Sequence, residues 1–205
     1  MSFTLQTTLQ KTITAYNAYS GLRQQLFLLS DTARQSSKKA IFHLMKDKIE
    51  DGKQLLIDAK ECLVKASALV EQESYLQESG SYKGAVEEYL EAKLVESYLT
   101  GKTTFDLFEF SLPAEMVLGA ISDFTGELVR KSILLATEGK STDIATIKQV
   151  VEDVVLALAD IEMGSGGYLR NKIDQVDKNL RKIEDILYTM KMRAFSTPPQ
   201  SQTTH

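Results

Sequence analysis

Histidine and cysteine are scarce in this chain of 205 residues, which has two histidines and one cysteine. The single cysteine, Cys62, excludes an internal disulfide and fits a reducing compartment. Neither His43 nor His205 lies three residues after a glutamate, so the Glu-x-x-His pairs of a di-iron carboxylate bundle are missing. The paired histidines of a zinc hydrolase are missing too, and no histidine base is available for nucleophilic catalysis. Any chemistry in this chain is therefore expected to depend on other side chains.

Long apolar runs and an excess of positive charge are also absent. The longest apolar run, residues 154–159, is too short to span a bilayer, and the N-terminus lacks the charged start and apolar run of a signal peptide. We therefore expect a cytoplasmic protein with no membrane association. The net charge of −4 argues against a surface coated in positive charge to hold duplex nucleic acid, although a local basic groove stays compatible with it.

Proline is limited to three residues, two of them near the C-terminus, and no useful stretch alternates apolar and polar residues as a strand would. The pattern predicts an all-α fold, an antiparallel bundle of about six or seven helices. The predicted helices cover about residues 5–48 (with a possible break at Gly21), 52–73, 84–99, 113–137, 142–163 and 168–193. Residues 1–195 are predicted to form a single domain, and the Pro-, Gln-, Ser- and Thr-rich residues 196–205 a disordered tail.

The last predicted helix carries a regular apolar seam with alternating spacings of four and three. Its members are Leu169, Ile173, Val176, Leu180, Ile183, Leu187 and Met190. This spacing is typical of a coiled-coil contact. The seam fits the interior of a bundle, a subunit interface, or both.

Four carboxylates lie in two motifs on different predicted helices, E-Y-L-E-A at 88–92 and D-F-T-G-E-L at 123–128. Residues three or four apart share one face of a helix, so Glu88 neighbours Glu91, and Asp123 neighbours Glu127. Both pairs lie in line with apolar residues, namely Ala92, Val95 and Leu99 in the first helix and Met116, Ala120 and Leu134 in the second. A carboxylate facing the core costs stability unless a partner compensates it.

Two interpretations of these acids stay open on the residue pattern alone. Carboxylates are hard oxygen ligands for Mg²⁺ or Mn²⁺, and a cation so held can activate water for phosphodiester hydrolysis. In the alternative, the acids form surface salt bridges, with Glu127 paired to Arg130 or Lys131 and Glu91 paired to Lys93.

A basic cluster lies late in the first predicted helix, where Arg34 and Lys38 are neighbours on one face and Lys39 and Lys46 follow. Such a cluster could hold phosphates without reading bases. A solvated helix face is an equally good explanation. No aromatic platform for stacking bases is evident from the sequence, so sequence-independent backbone binding is the expectation.

Several segments resemble the translin-associated factor X branch of the translin family. They are E-Y-L-E-A at 88–92, S-D-F-T-G-E-L-V-R at 122–130, S-K-K-A-I-F at 37–42, and K-I-E-D and K-M-R in the last helix. The likeness covers about residues 20–195, and the D-F-T-G-E-L block is its most specific part. The resemblance implies an α-helical bundle that assembles into a closed octamer, and a Mg²⁺-dependent endoribonuclease acting on RNA inside it.

By that resemblance, Glu88, Glu91, Asp123 and Glu127 match the catalytic, metal-binding acids, and Arg34, Lys38 and Lys39 are the candidate RNA contacts. The expected substrate is single-stranded RNA, with short duplex RNA or single-stranded DNA as alternatives. The expected assembly is a homo-octamer, or one completed by a translin-type subunit. The connection at 101–112 is short and no basic N-terminal arm is present, which resembles a minimal, archaeal form. A non-catalytic RNA- or DNA-binding or scaffold subunit is the alternative function, and a helical oligomer without a nucleic-acid role is a third.

Overall fold

The computed structural model describes residues 2–101, 113–161 and 167–196, and within them the chain is helical with no β-strand. The helices are α1 (Ser2–Leu44), α2 (Ile49–Gln72), α3 (Gly80–Thr100), α4 (Ala114–Thr137), α5 (Ser141–Ala159) and α6 (Tyr168–Ser196), with a short 3₁₀ helix at Ser74–Glu78 between α2 and α3. The predicted all-α class and the helix number are confirmed. The contacts divide the chain into two compact units, Met1–Val117 and Leu118–His205. The prediction of one domain over 1–195 stays a prediction.

The first unit is built on α1, which packs against both α2 and α3. The core face of α1 carries small and aliphatic residues at helical spacing, and the core faces of α2 and α3 pack against it. Fully buried members are Leu26, Ala33, Ala40 and Leu44 from α1, Ala59 and Leu63 from α2, and Ala85, Val86 and Ala92 from α3. The alanines let the helix axes approach closely, which positions α3 and its carboxylates beside the second half of α1.

A tight connection joins α1 to α2. Asp47 has a φ of 59°, in the left-handed region where aspartate is among the tolerated residues. Gly52 then lies against the end of α1, and a Cβ built on it would be 2.6 Å from Cγ of Leu44. Glycine at position 52 is therefore required by the close approach of the two helices.

The second unit contains most of α4, with α5 and α6. Its core residues include Leu128 and Leu135 of α4, Ile144, Ile147 and Val151 of α5, and Val176 and Ile183 of α6. The predicted seam of α6 is confirmed as an inward-facing row, because Val176 and Ile183 are buried and the other five members are partly buried. Since α5 packs against α6, at least part of the seam serves the interior of this unit.

Helix boundaries follow the sequence pattern with a few differences. The break considered at Gly21 is absent, because α1 is continuous from Ser2 to Leu44. Pro113 directly precedes α4, where its fixed φ is compatible with helix entry. Three stretches lie outside the described residues, namely the short connection at 102–112, most of the glycine-rich residues 164–167, and residues 197–205 of the predicted tail. Ser196, which was also predicted to belong to the tail, is instead the last residue of α6. None of the described helices is long and apolar enough to cross a membrane.

Candidate functional site

The first carboxylate pair lies on α3 and is partly buried. Glu88 and Glu91 flank the buried residues Tyr89 and Leu90, and the same helix continues into buried Ala92 and Val95. The side chain of Glu88 is 18% exposed. Both acids therefore lie at the edge of the core of the first unit, as the spacing predicted.

A lysine of the predicted basic cluster meets this acidic pair. Nζ of Lys38 on α1 lies 3.5 Å from Oε2 of Glu88. The two residues are far apart in sequence, and the packing of α1 on α3 brings them together. A side chain proposed to hold phosphate and one proposed to hold a metal are thus direct neighbours.

The other members of the basic cluster differ in their partners. Arg34 donates a hydrogen bond to Oδ1 of Asp31 at 3.0 Å on its own helix. Lys39 is exposed, and within the described residues it has no ion-pair partner. Nζ of Lys46 lies 4.1 Å from the centroid of the Phe42 ring, a cation–π contact. Lys39 is accordingly the member whose charge is least compensated.

The second carboxylate pair lies on α4 between buried residues, since Phe124, Thr125 and Leu128 have little or no solvent exposure. Asp123 accepts a hydrogen bond from Nζ of Lys172 on α6. Glu127 accepts one from Arg130 at 3.3 Å, the salt bridge that the sequence offered as an alternative. The apolar row does not extend as predicted, because Leu134 is 40% exposed near the end of α4.

Burial perturbs the second pair electrostatically. The pKa of Glu127 is raised above its ordinary value by desolvation, and the charge and hydrogen bond of Arg130 only partly oppose this. The side chain of Glu127 is 20% exposed. A carboxylate in this situation is stabilised by any further cation that reaches it.

Sequence reasoning missed two residues near these acids. Lys93, expected beside Glu91, instead forms its ion pair with Glu96, a glutamate that is only 5% exposed. Glu96 follows buried Ala92 by four residues and buried Tyr89 by seven, so helical spacing could have identified it as a core-facing glutamate. No sequence pattern could have identified Lys172, because only the packing of α6 against α4 brings it to Asp123.

No group of three or more His, Cys, Asp or Glu side chains that could hold a metal ion occurs in the part of the chain that the structure describes. The four predicted ligands are present as two carboxylate pairs, one on α3 and one on α4. In donor chemistry each pair suits a hard cation such as Mg²⁺. In this structure lysine and arginine side chains provide positive charge at Glu88, Asp123 and Glu127.

Comparison with known proteins decides the family. The family model described as "Translin family" matches residues 21–194, most of the chain. The chain belongs to the translin family. No match was found among curated proteins.

Solved structures confirm the translin-type helical bundle. The crystal structure of AfC3PO is 22% identical, with a TM-score of 0.81, and the match covers 92% of this chain and 100% of that one. The structure of an AfC3PO–duplex RNA complex is 21% identical, with a TM-score of 0.78 and coverage of 93% and 100%. The crystal structure of apo-NeC3PO is 19% identical, with a TM-score of 0.80 and coverage of 89% and 96%. At these identities the likeness establishes the fold of this translin-family chain.

Proposed function

We propose that this translin-family chain is a metal-dependent endoribonuclease that cuts single-stranded RNA within an oligomeric assembly in the cytoplasm. It resembles the catalytic translin-associated factor X branch through its acidic motifs. The observation that carries the proposal is the contact between Lys38 and Glu88, at 3.5 Å. This contact places an amine that can bind phosphate next to a carboxylate that can bind a metal once their ion pair opens, so an RNA backbone and a cation can meet at this point.

In this proposal Glu88, Glu91, Asp123 and Glu127 are the ligands of Mg²⁺ or Mn²⁺. Their oxygen donors fit such an ion, and the raised pKa of Glu127 identifies a carboxylate that lacks full compensation for its burial. When bound, the ion would lower the pKa of a water and neutralise charge on the scissile phosphate. Lys38, Lys39 and Arg34 would hold the RNA backbone without reading its sequence. One of the similar solved structures is a complex with duplex RNA, which supports RNA as the ligand class.

The assembly is proposed to be a homo-octamer, or a hetero-oligomer with a translin-type subunit. The N-terminal half of α1 supports self-association, because it carries an apolar row that the described residues leave exposed. The members of this row are Leu5, Leu9, Ile13 and Tyr16, spaced by four, four and three residues. Exposed apolar rows of this kind mark protein contacts. Light scattering at micromolar concentration should give a mass several times the 22.9 kDa of one chain.

Cleavage of a labelled single-stranded RNA in Mg²⁺ and in EDTA tests the activity. Glu127→Gln preserves shape and removes a charged ligand, so cleavage should fall by orders of magnitude while RNA binding is retained. Glu115→Gln, at an exposed position in the first turn of the same helix, is the matched control and should cleave normally. Cleavage at the normal rate in Glu127→Gln, or in EDTA, would contradict the proposal.

A non-catalytic RNA- or DNA-binding or scaffold subunit is the second candidate. It is favoured by the salt bridges that neutralise Glu88, Asp123 and Glu127 in this structure. The same experiment separates the two functions, since a scaffold subunit binds RNA but does not cleave it with Mg²⁺ or Mn²⁺.

A further inference from the structure

A cavity of about 440 Å³ lies in the first unit, beside the middle of α1 and away from the carboxylate pair of α3. Its walls are Tyr19, Arg23 and Phe27 of α1, Tyr75 and Glu78 of the 3₁₀ helix, and residues 79–81 at the start of α3. Buried Leu76 also lines it. The volume lies within the roughly 300–1,000 Å³ range of sites for small ligands.

Two of the aromatic side chains of this cavity, Phe27 and Tyr75, are strongly exposed, and Tyr19 is partly exposed. Tyr19, Arg23 and Phe27 follow one another at intervals of four residues, so they form a single row on α1. Phe27 is 54% exposed and Tyr75 is 79% exposed. Exposed aromatic faces at one cavity can stack on a flat ligand, and nucleobases of every kind offer such a face.

The cavity also carries uncompensated positive charge. Arg23 has no ion-pair partner within the described residues. The acid in the lining, Glu78, is neutralised by Lys83, whose Nζ lies 2.6 Å from Oε2 of Glu78. A guanidinium binds phosphate oxygens in a bidentate manner, so Arg23 favours an anionic ligand.

The start of α3 adds hydrogen-bond donors on the same side. The side chain of Ser79 does not cap the helix, and its Oγ is instead hydrogen-bonded to Oγ of Ser81 at 2.9 Å. The first intrahelical bond is donated by Lys83 N to Ser79 O. The N–H groups before Lys83 have no acceptor within the helix, which suits an anion placed beside them.

We propose that this cavity binds one unpaired nucleotide of a single-stranded RNA. The base stacks on Tyr19, Phe27 or Tyr75, and the phosphate is held by Arg23 and the start of α3. This inference rests on the RNA-binding part of the proposed function and adds a subsite separate from the four carboxylates. A segment of a second copy is the competing occupant, and it is less suited because the cavity combines stacking faces with an unpaired cation.

Binding of a fluorescently labelled single-stranded oligoribonucleotide in EDTA, followed by anisotropy at several salt concentrations, tests the subsite without cleavage. Tyr19→Leu and Phe27→Leu should each weaken binding roughly 5- to 100-fold, as expected for a lost stacking contact, with the salt dependence unchanged. Arg23→Gln should weaken binding and reduce the slope of log K against log salt by about 0.7, the contribution of one phosphate contact. Tyr188→Leu and Arg181→Gln, at exposed positions of α6, are the matched controls and should bind normally.

Circular dichroism and light scattering on each variant establish that fold and assembly are retained. Normal affinity in both Tyr19→Leu and Phe27→Leu would overturn the subsite, and so would a change of oligomer size in those variants without RNA, because a neighbouring copy would then occupy the cavity. If RNA still binds normally while Glu127→Gln abolishes cleavage, the subsite fails and the nuclease stands. If the unmodified chain binds no RNA, both fail. Ultraviolet crosslinking of the bound RNA to a peptide containing Tyr19 or Tyr75 would support the subsite independently.

Discussion

Nζ of Lys172 on α6 donates a hydrogen bond to Oδ2 of Asp123 on α4, and the same ammonium lies 5.2 Å from the centroid of the Tyr168 ring. The side chains of Lys172 and Asp123 are 21% and 34% exposed, so water screens the pair only in part. The ring and the carboxylate both favour a cation at this position. If Asp123 is a metal ligand, as we propose, an incoming ion has to displace or share this lysine.

The first prediction concerns this competition. Lys172→Met keeps the length and the apolar stem of the side chain but removes the ammonium. Binding of Mn²⁺, measured by isothermal titration calorimetry, should tighten by a factor of about 1.4 to 5, the equivalent of the roughly 0.2–1 kcal/mol of a partly screened ion pair. Lys178→Met, at an exposed position of the same helix, should leave the affinity unchanged. Equal metal affinity in the two variants would show that Lys172 does not compete for Asp123.

The second prediction concerns pH and the metal-free protein. Burial raises the folded-state pKa of Glu127, so the folded chain holds this proton more tightly than the unfolded chain does. Stability should therefore fall as pH rises from the ordinary pKa of a glutamate through the raised one, because the unfolded state then binds fewer protons. Glu127→Gln should lose this part of the pH dependence and be more stable than the parent at neutral pH.

Thermal unfolding in EDTA between about pH 4 and 8 measures this difference. Glu115→Gln serves as the control, because it removes a carboxylate from an exposed position of α4. The prediction fails if Glu127→Gln and its parent keep the same difference in melting temperature across the whole range.

Helical periodicity predicted the fold class and placed the helix boundaries within about four residues of their positions in the structure. The break considered at Gly21 is wrong, and its absence has a physical reason. Nothing lies within 4 Å of a Cβ built there, and glycine inside an exposed helix costs only about 1 kcal/mol relative to alanine. The residues on either side favour the helical conformation enough to keep α1 continuous at this position.

The candidate site could be predicted only where its members share a helix. Spacing paired Glu88 with Glu91 and Asp123 with Glu127, because three or four residues make one turn. The contacts of Lys38 with Glu88 and of Lys172 with Asp123 arise from the packing of separate helices, which no local pattern encodes. In the aromatic cavity, Tyr19, Arg23 and Phe27 share α1 at intervals of four, so spacing could have grouped them, whereas Tyr75 is brought to them only by packing.

The third prediction tests the close approach at the start of α2. A Cβ on Gly52 would lie 2.6 Å from Cγ and 2.7 Å from Cδ2 of Leu44, which is fully buried and has little room to move. Gly52→Ala should cost about 1–3 kcal/mol in the free energy of unfolding, the usual effect of overpacking. Gly21→Ala is the matched control and should stabilise by roughly 0.5–1 kcal/mol. Urea denaturation compares the two, and a neutral or stabilising Gly52→Ala would contradict the inferred contact.

The fourth prediction concerns a buried polar link within the second unit. Nδ2 of Asn179 on α6 donates a hydrogen bond to Oγ1 of Thr125 on α4 at 2.9 Å, and Oδ1 of Asn179 accepts one from Gln175. Thr125 is fully buried and also donates to the carbonyl of Ser122 at 2.7 Å. The two side chains thus satisfy each other's hydrogen-bonding groups in the core of the second unit, between the D-F-T-G-E-L segment of α4 and the seam of α6.

Asn179→Leu removes one partner and leaves the others buried, so it should cost about 1–3 kcal/mol in the free energy of unfolding. Asn171→Leu, at an exposed position of α6, should change stability by no more than about 0.5 kcal/mol. Adding Thr125→Val to Asn179→Leu should recover part of the loss, because it removes the buried hydroxyl oxygen that Asn179→Leu has left without a donor. Urea denaturation of the single and double variants forms a double-mutant cycle. Strict additivity in that cycle would mean that the hydrogen bond does not couple α4 to α6, since directly interacting residues give a non-zero interaction energy.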